Sequence, residues 1–108
     1  MNLVVIRHGI AEARASWNAD GRLDEERPLS QHGKTRMALA AAGLATELPT
    51  LGVLVSSPLA RARQTADILC HRFPDTDLHL SEALRPESCP EDIVTALHQP
   101  PLAGSEFI

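Results

Sequence analysis

The chain has 108 residues, 44% of them apolar, and 14 acidic against 10 basic side chains give a formal charge of −4. That length bounds one domain with a modest core, taken as residues 1–108, and the acidic balance argues against nucleic-acid binding, which uses a basic face. The first apolar run is too short, and too soon broken by Arg7, for a signal peptide or a membrane span, so a cytoplasmic protein without membrane contact is expected.

Leu3-Val4-Val5-Ile6 predicts a short buried strand over about residues 2–7. Arg7 and His8 then stand at its C-terminal end, and Gly9 lets the backbone turn and a ligand come close. In parallel α/β sheets, ligands bind in the crevice outside the strand ends. A histidine beside a permanent cation there suits attack on a phosphoryl group. The guanidinium steadies the phosphate oxygens while an imidazole nitrogen takes the phosphorus. Taken alone the tripeptide is weak, because a lone histidine is more often a surface residue or a satisfied core residue. Residues 9–29 predict a loop, long enough to be functional or mobile. It holds Trp17 and the charges Glu12, Arg14, Asp20, Arg22, Asp24, Glu25, Glu26 and Arg27, whose plain reading is a solvated face.

Ser30 is the expected cap of a helix in which Met37, Ala41, Leu44 and Leu48 recur at helical spacing, with Pro49 as the stop. His32, near its start, reads as exposed. Leu51 to Ser57 predicts a second strand. Ser57 as cap and Pro58 in the first turn predict a helix over 58–72 with an apolar stripe of Leu59, Ala62, Ala66 and Leu69. Arg61 therefore stands at a second strand end, and Arg7, His8 and Arg61 face one crevice. Leu78-His79-Leu80 alternates like a short strand. Pro90 opens a last helix, Glu91 to about His98. This order predicts an α/β fold in three layers, a mostly parallel sheet with helices on both faces. Cys70 and Cys89 lack zinc spacing and read as reduced thiols, not as a disulfide or a metal site.

Three segments carry a resemblance: Arg7-His8-Gly9; Arg27-Pro28-Leu29-Ser30 with Gly33; and Ser57-Pro58 through Arg61-Ala62 and Gln64-Thr65. In order and spacing the chain resembles the histidine phosphatase superfamily, with its phosphoglycerate mutase-like fold, and within it the small SixA-type phosphohistidine phosphatases. The match runs over residues 1 to about 70, and more loosely to about 98. The resemblance implies that His8 is the nucleophile and carries a transient phosphohistidine. It implies that Arg7 and Arg61 bind the phosphoryl oxygens and that Arg27 adds a third cation. Transferring phosphoryl groups spread charge over their equatorial oxygens, so fixed guanidinium groups suit this chemistry, and no metal or other cofactor is required. Glu82 follows the third strand, where larger relatives place an acidic general acid, so it is a candidate to protonate a leaving group; the stronger reading is that it has no catalytic role, because the imidazole that SixA-type members release departs easily and needs less acid help. The implied activity is removal of phosphoryl groups from phosphorylated histidine of a phosphocarrier or signalling protein. The alternatives are a broader phosphomonoesterase acting on small phosphate esters, and a truncated, weakly active or inactive phosphate-binding domain.

The resemblance also implies a second histidine, late in the chain, after an apolar strand lying between the first strand and the one ending at Ser56. His98 is the only late histidine here, and Val94-Thr95-Ala96-Leu97 before it reads as a helix end. By that comparison the chain is expected to be C-terminally truncated and its sheet incomplete. Gly104-Ser105-Glu106-Phe107 is also what two common cloning sites in tandem encode, which makes residues 103–108 a candidate non-native tail. Two outcomes are expected for the gap: the first and second strands pair directly, or the gap is filled by another chain or left partly open.

Overall fold

The computed structural model describes residues 2–108. Its elements are α1 (Arg14–Ala19), a 3-10 turn at Asp24–Glu26, α2 (Gln31–Glu47), β1 (Val53–Ser56), α3 (Ala60–Arg72), β2 (Asp77–Leu80), a 3-10 turn at Glu82–Leu84 and α4 (Pro90–Leu97). β1 and β2 pair in parallel, Val53 opposite Asp77 and Ser56 opposite Leu80, with α3 as the crossover. Successive strand side chains point to opposite faces, so β1 feeds two cores. Leu54, with Ile6, packs against Met37, Ala41 and Leu69 of α2 and α3. Val53 and Val55 pack against Ala96, Leu97, Leu102 and Ile108 on the other side. This is the expected three-layer α/β arrangement.

The cap of α2 forms as expected: Ser30 Oγ accepts the Gly33 N–H at 2.9 Å. α3 begins two residues later than the spacing predicts. Ser57 Oγ accepts the Leu59 N–H at 3.2 Å, closing a turn around Pro58, and the first helical acceptor is the Leu59 carbonyl, which takes the N–H of Ala62 and Arg63. The loop over residues 9–29 carries local structure of its own. Trp17 Nε1 donates to the Leu23 carbonyl at 2.8 Å, and the Arg22 guanidinium stacks 3.8 Å from the Trp17 ring centroid. Both cysteines are free; Cys70 is half-buried, and burial, with Asp67 adding, pushes its thiol pKa up.

The strand expected over residues 2–7 is reduced to one parallel bridge, Asn2 to Phe107. A strand needs a neighbour along its length, and here the neighbour is three residues long. Asn2 N–H donates to the Glu106 carbonyl at 2.6 Å, Ile108 N–H to Asn2 at 2.9 Å and Val4 N–H to Ile108 at 2.8 Å. From the other side Val53 N–H donates to the Phe107 carbonyl at 3.4 Å. The first run and β1 therefore do not pair directly. Residues 106–108 wedge between their lower ends, and Ile108 is only 6% exposed, so the end of the segment set apart as a tail packs against the first run and β1. Above Ile108, Val4 to Ile6 and Leu54 to Ser56 flank an open slot.

Gly33 has a specific reason to be glycine. A Cβ there would lie 1.9 Å from the Ile10 carbonyl oxygen, which also accepts the Ser30 N–H at 2.9 Å. Backbone must move to make room. Gly33→Ala is expected to lower stability by about 1–3 kcal/mol, the usual range for overpacking. Urea unfolding measures it, and a midpoint equal to wild type would show that the contact yields freely.

Candidate functional site

Arg7, His8 and Gly9 share one cavity of about 790 Å³ with Arg27 and Arg61. The three sequence segments hold one another there. Gly9 N–H donates to Thr65 Oγ1 at 3.0 Å, and Thr65 Oγ1 donates to the Arg61 carbonyl at 2.8 Å. Leu29 N–H donates to Gln64 Oε1 at 2.7 Å. Thus Gln64 and Thr65, one turn beyond Arg61 on α3, tie the two loops that carry His8 and Arg27 to the helix that carries Arg61.

His8 is exposed, with Nδ1 2.7 Å from the Gly9 carbonyl oxygen. A carbonyl only accepts, so Nδ1 holds a proton and Nε2 keeps its lone pair in the neutral ring. Arg27 and Arg61 are 7% and 5% exposed, and buried guanidinium groups need partners. Both find Asp24. Arg27 Nε donates to Asp24 Oδ1 at 3.0 Å, and Arg61 donates through Nη1 to the Asp24 carbonyl at 3.0 Å and through Nη2 to Oδ2 at 3.4 Å. Arg27 Nη1 also donates to the Glu12 carbonyl at 2.9 Å. The Arg27 hydrogen bond holds the Asp24 carboxyl below the usual carboxylate range, with the charges of Arg27, Arg61 and Arg14 adding to it against the opposing pull of burial. The folded-state value is depressed, so what the pairing adds to stability is present above the ordinary carboxylate range. It is lost only as pH falls through the lowered value.

Two residues the sequence reading left aside also line the cavity, Arg14 and Arg36. Arg36 had a readable signal. Gly33, Arg36, Met37 and Ala40 fall at i, i+3, i+4 and i+7, one helical stripe that faces the site. Arg14 had none, since nothing in the loop's composition separates it from its charged neighbours. Among the described residues the wall holds five arginines and no carboxylate.

Glu82 does not join the site. Its carboxylate accepts from Arg85 Nε on the next turn, its side chain is 76% exposed, and it is absent from the cavity wall. The placement agrees with the stronger of the two readings of Glu82, a residue without a catalytic role. His98 caps the end of α4, exposed, with Nδ1 2.8 Å from the Val94 carbonyl, away from the cavity. His32 is exposed and likewise outside it. Among the described residues no three His, Cys, Asp or Glu side chains gather to hold a metal ion, and no helix is long and apolar enough to cross a membrane.

Comparison with known proteins finds a family model, the histidine phosphatase superfamily (branch 1), that matches residues 3–88. An uncharacterized protein of Picosynechococcus sp. strain PCC 7002 is 45% identical over 73 residues, covering 64% of this chain and 39% of that protein. A structure assigned as the phosphohistidine phosphatase SixA of Nakamurella multipartitia superposes with a TM-score of 0.73 at 25% identity, over 92% of this chain and 51% of its own. A protein histidine phosphatase SixA complexed with tungstate superposes with a TM-score of 0.74 over 91% of this chain and 60% of its own; at 24% identity it speaks to the fold alone. The chain thus spans about half the length of these solved structures and 39% of the curated relative.

Proposed function

The chain belongs to the histidine phosphatase superfamily (branch 1), and from that premise we propose that it removes phosphoryl groups from phosphorylated histidine of a phosphocarrier or signalling protein. His8 Nε2 attacks phosphorus in line with the leaving group. A P–N bond forms to His8 as the P–N bond to the substrate imidazole breaks, and that imidazole leaves with the electron pair and takes a proton from solvent. Water then attacks the phosphorylated His8, the P–Nε2 bond breaks, and inorganic phosphate departs. Arg7, Arg27 and Arg61 hold the equatorial oxygens through both steps, so the scheme calls for no metal.

The observation that carries the substrate class is the wall around His8, which among the described residues holds five arginines and no carboxylate. An alkoxide leaves badly without a proton donor, whereas an imidazole leaves readily once solvent protonates it. A general acid contributes about 10²–10⁴-fold where it is needed. A site without one therefore favours phosphohistidine over alkyl phosphates. The cavity, about 790 Å³, also leaves room for a protein loop bearing the phosphoryl group.

The test compares three substrates: a phosphohistidine protein, an aryl phosphate and an alkyl phosphate. The phosphohistidine protein should turn over fastest, with the alkyl ester slower by about two orders of magnitude or more. Equal rates on the alkyl ester would favour the broader phosphomonoesterase. Phosphate binding with no hydrolysis of any substrate would favour a phosphate-binding domain.

A further inference from the structure

We propose that Asp24 is the positioning residue of this site, the single group that aims the Arg27 and Arg61 guanidinium groups at an incoming oxyanion; this rests on the reading that the cavity receives a phosphoryl group. Arg27 arrives from the loop before α2 and Arg61 from the first turn of α3. Their separation in sequence gives them no shared backbone geometry. Among the described residues, Asp24 alone hydrogen-bonds both guanidinium groups. Its two carboxylate oxygens divide between them, Oδ1 to Arg27 and Oδ2 to Arg61, and its carbonyl takes a second Arg61 donor.

The donor inventory shows what this leaves. A guanidinium carries five N–H groups in a rigid plane. Arg27 spends two, on Asp24 and on the Glu12 carbonyl, and Arg61 spends two, both on Asp24. Three N–H groups remain on each. Because the group is planar, fixing two of its donors fixes the direction of the other three. Asp24 therefore sets the aim of six donors that it does not itself occupy.

An acid so close to phosphate-binding cations could instead compete with phosphate for them. The placement argues against competition. Arg27 and Arg61 form part of the cavity wall, and Asp24 does not. It braces the arginines from behind, on the 3-10 turn whose next residue, Glu25, is tied to Arg85 Nη1 at 3.3 Å. The Asp24 carbonyl also accepts the Arg27 N–H at 3.0 Å, which fixes the turn against the arginine it serves.

The experiment uses the full 108-residue chain, with Asp24→Asn and Asp24→Ala, and reads inorganic phosphate and orthovanadate affinity by calorimetry beside aryl phosphate kinetics. The Asp24 side chain is 43% exposed, so the near-isosteric Asn variant should keep the fold, with a melting temperature within a few degrees of wild type. Charge-assisted hydrogen bonds typically contribute about 1.5–3 kcal/mol, so oxyanion affinity should fall about tenfold in Asp24→Asn and further in Asp24→Ala. On the aryl phosphate, KM should rise and kcat should fall, since the same donors hold ground state and transition state. Unchanged affinity in a folded Asp24→Asn would overturn the proposal, and tighter oxyanion binding would identify Asp24 as a competitor. If Asp24→Ala unfolds, Asp24→Asn decides alone. Phosphate binding reads the brace even in a chain that hydrolyses nothing, which separates failure of this inference from failure of the phosphatase reading.

Discussion

His8→Ala is expected to abolish turnover, by about four orders of magnitude or more, as loss of a catalytic nucleophile does elsewhere. Among the described residues His8 is the only nucleophilic side chain on the cavity wall, which otherwise consists of Arg, Gly, Ile, Ala, Met and Pro. No neighbour can take over the attack on phosphorus. The ring is exposed, and its hydrogen bond goes to the adjacent Gly9 carbonyl, so removing it should shift stability by no more than about 0.5 kcal/mol. The loss is then chemical and not a failure to fold. Rapid quenching of wild type should trap acid-labile phosphate on His8. Label on another histidine, with His8→Ala still active, would sink the assignment.

A strand supplied to the open slot should raise melting temperature and turnover together. The slot is flanked by Val4 to Ile6 and by Leu54 to Ser56, and among the described residues the backbones of Ile6 and Val55 make no hydrogen bond across it. Its walls are largely apolar on both faces. Val4, Ile6, Leu54 and Leu69 line a cavity of about 290 Å³ toward α3. Leu3, Val5, Val55 and Leu97 line another of about 250 Å³ toward α4, where Val5 stands 86% exposed. An extended segment continuing from Ile108, with alternating apolar side chains, would fill both. Each such side chain contributes about 1.5–3 kcal/mol on burial, against about 1–2 kcal/mol per residue for ordering the backbone. With the added ladder hydrogen bonds, at about 0.5–1.5 kcal/mol each, a net gain of a few kcal/mol follows. That corresponds to a rise in melting temperature of about 10 °C or more for a domain this size. The α3-side cavity reaches Arg7, His8 and Arg61, so ordering its walls should also raise turnover on an aryl phosphate. Calorimetry and initial rates on the extended chain measure both. The same extension with Asp at alternate positions is the control, and equal behaviour of the two would show that the slot does not take a strand.

The sequence by itself determined what depends on neighbours along the chain. Ser30 could be read as a cap and Pro90 as a helix start because turns and helix ends are governed by a few adjacent residues, and the structure has α2 at Gln31–Glu47 and α4 at Pro90–Leu97. The motif spacing singled out Arg7, His8, Arg27 and Arg61, which the fold brings to one wall. Only the tertiary structure decided the rest. The first run could not be known to lack a strand partner, because pairing belongs to two segments, and its partner comes from residues 106–108, at the far end of the chain. Asp24 looked like one more solvated acid, since a carboxylate's partners are set by distance in space. Gln64 and Thr65 were matched as letters of a motif. Their work, tying the Leu29 and Gly9 backbones to α3, becomes visible only when segments tens of residues apart close to within hydrogen-bond range of each other.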